Sequence, residues 1–245
     1  MWDSPGRMSR LADVLFAVAA LLVLYALLRF AIHHPVFAVG ELKVSGDTTR
    51  LSMEQVQGVV KRELRGTFFT TDIIKLRDGF EKLPWVRRAN VRRLWPDGLE
   101  VVIEEHKLLA RWGKDQLVNM QGEVFSATHE GALPKFEGPE GSAGEITAYY
   151  ARLNGVFGAI GRKPVEVLLS PRRAWQVRLD DGMRLELGRN QADARLNRFV
   201  AAYPHAVLPL KRRIEYVDLR YANGFAVRVP GLANMKDAPS VKPGA

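Results

Sequence analysis

The sequence predicts an α+β protein carried by one N-terminal transmembrane helix. Three observations lead there: an apolar run near the N-terminus, a strand-helix-helix-strand-strand order over 36–106, and short alternating strands with two helices over 107–230. The second region reads as a mixed β domain with antiparallel hairpins.

The membrane helix spans Leu11 to Ile32. Val14 to Leu28 is unbroken apolar sequence plus Tyr25, and Asp13 and Arg29 stand where polar groups reach lipid headgroups. At ~1.5 Å per residue this stretch reaches about 33 Å, enough for the hydrocarbon core. A cleaved signal peptide has a shorter apolar run and a small-residue cleavage site. Arg29-Phe30-Ala31-Ile32-His33-His34-Pro35 is not such a site, so an uncleaved anchor is expected. Arg7 and Arg10 against Asp3 on one side nearly balance Arg29, Lys43 and Arg50 on the other. The positive-inside count therefore leaves orientation undecided.

In the first module, 37–44 alternates as a strand, and Ser45-Gly46-Asp47 reads as a turn. Ser52 and Gln55 form a capping box, with Leu51 and Val56 as a staple and Val56, Val59, Val60 and Leu64 as the helix's apolar face. Thr71 or Asp72 caps a second helix, whose apolar side is Ile73, Ile74, Leu76, Phe80 and Leu83. Pro84 stops it. Val86 to Leu94 is a strand. Trp95-Pro96-Asp97-Gly98 has a type I turn pattern, and Leu99, Val101 and Ile103 return.

In the second module, 117–125 is a hairpin around Gln121-Gly122, and a helix covers about 144–160. Alternation at Val165, Val167, Leu169 and at Trp175, Val177, Leu179 gives two strands. Asp180-Asp181-Gly182 turns back to Met183, Leu185 and Leu187. A short helix spans about 192–203. The last hairpin rises through 216–221 to Asn223-Gly224, a type I′ turn pair, and descends through Phe225, Val227 and Val229. Residues 231–245 read as a disordered tail.

Chemistry-bearing motifs are not found. With no cysteine, disulfides, thiolate zinc sites and a cysteine nucleophile are excluded. The five histidines are scattered, and no phosphate-cradling loop or nucleophile elbow appears. Glu104-Glu105-His106 lies on a strand, where neighbours point to opposite faces. A net charge of +9 admits nucleic acid, anionic lipid or acidic partners, but the charges gather on no single arm. Arginines beside Trp85 and Trp95 read as an outward strand face with core or turn aromatics, rather than as a nucleic-acid platform. No catalysis, cofactor, metal, nucleic acid or small-molecule substrate is expected.

The run Leu83-Pro84-Trp85-Val86-Arg87-Arg88-Ala89-Asn90-Val91-Arg92-Arg93-Leu94-Trp95-Pro96-Asp97-Gly98-Leu99 resembles the signature of the FtsQ/DivIB family of division proteins. Ala110-Arg111-Trp112, Leu117-Val118-Asn119, Leu185-Glu186-Leu187-Gly188-Arg189 and the stretch from Val217 to Val227 continue the resemblance in order, across residues 36–229.

The resemblance implies a cytoplasmic tail (1–10), one inner-membrane helix (11–32), a periplasmic POTRA domain (36–106) and a β domain (107–230). It implies a septal, non-catalytic scaffold that binds the coiled-coil proteins FtsB and FtsL, and whose partners extend to FtsK, FtsW and FtsI. The family's FtsB contact falls on the last hairpin, here Arg220, Tyr221, Asn223, Gly224, Phe225, Ala226 and Val227. An unpaired strand edge accepts a partner strand by backbone hydrogen bonding, and Tyr221 is the expected anchor. The alternative is a POTRA-bearing component of outer-membrane protein assembly or secretion. It calls for a C-terminal barrel or repeated POTRA units, neither of which is read here.

Overall fold

The computed structural model describes residues 5–230, with side chains from residue 9 onward. The expected tail 231–245 and residues 1–4 lie outside the described residues. Helix α1 (Pro5–Ile32) starts earlier than the sequence predicts, with Pro5 at a first helical position that its fixed φ suits. Its stretch Ser9–Ile32 is apolar, unburied by the rest of the protein and 24 residues long, which makes it long enough to cross a bilayer. Beyond it the chain divides between His106 and Lys107 into two compact units.

The first unit contains β1 (Glu41–Gly46), α2 (Met53–Glu63), α3 (Ile73–Glu81), β2 (Val86–Leu94) and β3 (Gly98–Glu105). The strand order is β1-β3-β2, with β1 parallel and β2 antiparallel to the central strand. Val59 of α2 and Leu76 and Phe80 of α3 bury against Ala89, Val91, Leu99, Val101 and Ile103. The predicted capping box forms: Gln55 N donates to Ser52 Oγ at 3.2 Å, and Ser52 N donates to Gln55 Oε1 at 3.0 Å. Asp72 rather than Thr71 caps α3, accepting from the Ile74 and Lys75 amides. Those two amides hold its carboxylate below the ordinary range.

Several local expectations fail here. The first strand begins at Glu41, not at Phe37, because Pro35–Phe37 forms a 3-10 turn. Its end is tied to the α2–α3 loop, with Phe68 N donating to Phe37 O at 2.7 Å. The expected turn at Ser45-Gly46-Asp47 is still strand through Gly46, since pairing to β3 runs on to Ile103. The chain turns at Trp95-Pro96-Asp97 as expected, between the paired residues Leu94 and Gly98, and the Trp95–Pro96 peptide is cis. Ile74, assigned to the apolar side of α3, is exposed.

Charged groups on β2 and β3 find partners within the unit. Arg87 pairs with Glu104 at 2.6 Å, and Arg92 with Glu100. Glu105 is buried and accepts from Arg50 N at 2.8 Å, while Glu104 is solvent-facing. The two neighbours thus point to opposite faces. The Arg50 guanidinium lies over the half-buried Trp85 ring at 4.0 Å.

The second unit holds β4 (Leu108–Trp112), β5 (Gln116–Asn119), β6 (Val124–Phe125), β7 (Lys135–Glu137), α4 (Ala143–Gly158), β8 (Pro164–Leu169), β9 (Trp175–Leu179), β10 (Arg184–Gly188), α5 (Ala192–Ala202), β11 (Tyr216–Asp218) and β12 (Ala226–Arg228). They form one nine-stranded mixed sheet, ordered β12-β11-β10-β9-β8-β7-β4-β5-β6. The pairs β4–β7, β7–β8 and β10–β11 are parallel, and the others antiparallel. Inward positions of the strands meet Ile146, Leu153 and Phe157 of α4 and Leu196 and Phe199 of α5 in one core. The alternate positions carry charge: Glu166 sits between Lys135, at 4.0 Å, and Arg178.

Candidate functional site

The seven candidates fall on two adjoining pieces, the loop 219–225 and the terminal strand β12. Three residue pairs join β12 to β11: Tyr216 with Arg228, Val217 with Val227, and Asp218 with Ala226. This departs from the predicted hairpin, in which the rising strand reached Tyr221. A type I′ turn needs positive φ at both central residues, and neither Asn223 nor Gly224 has it.

The cause is Asp218, which is buried at the end of β11. Its Oδ1 accepts from Arg220 N at 3.0 Å and from Arg220 Nε at 2.9 Å, while Oδ2 accepts from Nη2 at 2.7 Å. This Asx-type turn with a two-pronged ion pair bends the chain off β12. Leu219 N still donates to Glu186 O at 2.9 Å, so the chain follows β10 for one more residue. From α5, Arg198 donates to the Ala222 carbonyl and holds the far part of the loop. Arg195 ties the same helix to β10 through Leu187 O at 2.8 Å.

The candidates therefore divide. The Arg220 guanidinium is engaged by Asp218. Phe225 is half-buried with its ring edge-on to Phe199, 5.4 Å between centroids, and Val227 and Val229 also turn toward the core. Tyr221, 58% exposed, faces solvent with Asn223 and Ala226, and Gly224 is partly exposed. Among the described residues no strand pairs with the outer edge of β12. Sequence reasoning missed Asp218 and Arg198, which shape the loop. The spacing of Asp218 and Arg220 is a legible Asx-turn signal. Arg198 carried no local signal, because its partner lies on another element.

The Arg220 side chain holds the Asp218 carboxylate below its usual range, and the Asp218 carboxylate raises the Arg220 guanidinium. A lowered carboxylate contributes stability that is fully present above its unfolded value, about 3.9, and is lost as pH falls through the folded value. Asp218→Asn is expected to cost about 1–2 kcal/mol at neutral pH in urea unfolding followed by tryptophan fluorescence. The difference from wild type shrinks below about pH 4. An equal difference at pH 7 and pH 3 would rule out the ion pair as the cause.

An apolar anchor, a strand-helix-helix-strand-strand unit and a mixed sheet with a terminal strand edge together define a POTRA-bearing membrane-anchored protein. Comparison with known proteins agrees. Residues 37–106 match the family model "POTRA domain, FtsQ-type", and residues 110–220 match "Cell division protein FtsQ/DivIB, C-terminal". The chain is 44% identical over 233 residues to the cell division protein FtsQ of Nitrosospira multiformis, covering 93% of this chain and 99% of that one. It is 42% identical over 249 residues to FtsQ of Burkholderia pseudomallei, covering 99% and 100%. Against FtsQ of Neisseria gonorrhoeae the identity is 33% over 229 residues, covering 93% and 95%. The chain belongs to the FtsQ/DivIB family of cell division proteins.

Proposed function

We propose that this protein is a non-catalytic scaffold of the division machinery. Its N-terminus is cytoplasmic, its helix lies in the inner membrane, and its POTRA and β domains are periplasmic at the septum. It receives a strand of an FtsB-like partner along β12, with FtsL bound in the same complex. Through that complex it links FtsK, which arrives earlier, to the septal peptidoglycan synthase FtsW–FtsI. The observation that supports this reading most is the terminal β12 edge beside the exposed Tyr221. Edge backbone groups supply affinity, and a large aromatic beside them supplies a pocket contact. On this reading the solvent-facing Tyr221, Asn223, Gly224 and Ala226 meet the partner directly, and Arg220, Phe225 and Val227, which contact Asp218 and the core, contribute by holding the surface in place.

The test uses the whole chain in detergent micelles, titrated calorimetrically with the periplasmic segment of the FtsB-like partner. Tyr221→Ala is expected to raise Kd by about 30-fold, the loss typical of an anchor aromatic. Its circular dichroism should match wild type, since Tyr221 is exposed. Val227→Pro, which removes an amide from the edge strand, should abolish binding. Unchanged Kd for both variants, each shown to be folded, would place the partner elsewhere.

A further inference from the structure

A second exposed apolar surface lies at the other end of the chain, where the membrane helix meets the POTRA unit. The α2–α3 loop reaches back to that junction. Thr67 Oγ1 donates to the carbonyl of Ile32, the last residue of α1, at 2.8 Å, and Ala38 bridges Thr67. The loop is held from several sides. Arg93 donates to the carbonyls of Phe68 and Thr71, each at 2.8 Å, and Thr71 Oγ1 donates to Thr67 O at 2.7 Å. Phe68 is buried by this arrangement, and the next residue is turned out. Phe69 is 49% exposed and packs edge-on to Phe37 at 5.4 Å, itself 38% exposed. Val36 is 76% exposed, and Phe30, on the last turn of α1, is 69% exposed.

In water this arrangement leaves three aromatic rings and a valine uncovered, with Phe69 on a loop held by several hydrogen bonds. The loop is tied to the last residue of α1 by the Thr67–Ile32 hydrogen bond, which sets Phe69 and Phe37 beside the end of the apolar helix. We propose that Val36, Phe37 and Phe69 insert into the headgroup–acyl boundary of the bilayer that α1 spans. The POTRA unit is then fixed against the membrane at two points instead of swinging from one helix. Apolar and aromatic side chains at this depth gain burial without stranding a charge. The inference rests on α1 being a membrane span, but not on which side of the membrane the POTRA unit occupies or on what β12 binds.

The chain has no cysteine, so one introduced thiol takes a nitroxide label uniquely. Full-length Phe69→Cys is labelled in phosphatidylethanolamine–phosphatidylglycerol nanodiscs. Leu21→Cys, in the middle of the span, and Met53→Cys, exposed at the start of α2, serve as references. Collision with oxygen reports lipid, and collision with a soluble nickel complex reports water. Position 69 is expected to lie between the two references, less open to nickel than label 53 and more open to oxygen than label 53, as a label at the headgroup–acyl boundary should be. Adding Val36→Ser and Phe37→Ser, both at exposed positions, should return label 69 to the aqueous behaviour of label 53 with unchanged circular dichroism. If label 69 behaves like label 53 in the unaltered patch, the surface does not enter lipid and the proposal is wrong. Dipolar broadening at 69 would instead show a second copy covering the patch, and would overturn it equally. An aqueous label at 21 removes the membrane span, and the proposal falls with it.

Discussion

Phe199→Ala is expected to destabilise the second unit by about 3–5 kcal/mol and to abolish partner binding at β12, although Phe199 touches no outer surface. The ring is fully buried on α5, edge-on to Tyr203 at 5.7 Å and to Phe225 at 5.4 Å. Phe225 is the residue immediately before β12, so the Phe199 ring is what seats the incoming end of that strand. Truncation leaves a cavity under the strand, and the three residue pairs joining β12 to β11 are few to hold against it. Urea unfolding measures the first effect, and calorimetry with the FtsB-like segment the second. Phe199→Leu, which keeps most of the volume, should recover all but ~1.5 kcal/mol and most of the binding. If the alanine variant binds normally, β12 is seated independently of α5.

Gly46→Val is the largest effect expected in the first unit. Gly46 closes β1 at φ +95°, and a Cβ there would lie 2.2 Å from Ile103 O and 3.0 Å from Ile103 N. Both obstacles are backbone of the central strand, so no side-chain rotation relieves the clash. The left-handed conformation alone costs a branched residue about 1–3 kcal/mol, and displacing β1 breaks a parallel pairing that runs the whole length of the strand. Loss of exchange protection at Lys43, Val44 and Ser45 is expected, together with loss of the unit's cooperative unfolding. Gly58→Ala makes the matched control. Gly58 lies within α2 with nothing within 4 Å of a new Cβ, and alanine there should stabilise by about 0.5–1 kcal/mol. Equal destabilisation by both substitutions would refute the steric account.

The parts of this fold that were legible in sequence are those whose cause is local. Ser52 and Gln55 cap α2 because the motif is satisfied within four residues. The stripe Leu76 and Phe80 and the alternation of Ala89 and Val91 bury as their periods demand. The misread parts share a non-local cause. Phe37 leaves the first strand because its carbonyl is taken by Phe68, far along the chain. Asn223-Gly224, a strong local hairpin signal, gives way to Asp218 gripping Arg220 and Arg198 holding Ala222. The candidate site was half legible for the same reason. Alternation could turn Phe225 and Val227 inward, but which strand ends a nine-stranded sheet depends on the order of all the strands.

The outer strand is attached by three residue pairs, while its neighbour β11 is held on both sides, by β10 and by β12 itself. Such a strand is the first piece of a sheet to open in thermal fluctuation. A partner laid along the outside, as proposed, would enclose it and remove that freedom, making recognition and the last step of folding one event. In hydrogen–deuterium exchange the amides of Ala226, Val227 and Arg228 are then expected to change from fast to slow on complex formation, while those of β6 at the opposite edge stay as they were. The complex stabilises the whole second unit by mass action, in proportion to the logarithm of free partner over Kd. If β12 is the partner site proposed above, a shortage of partner leaves that strand only loosely closed, and exposed, loosely held segments are where proteolysis begins.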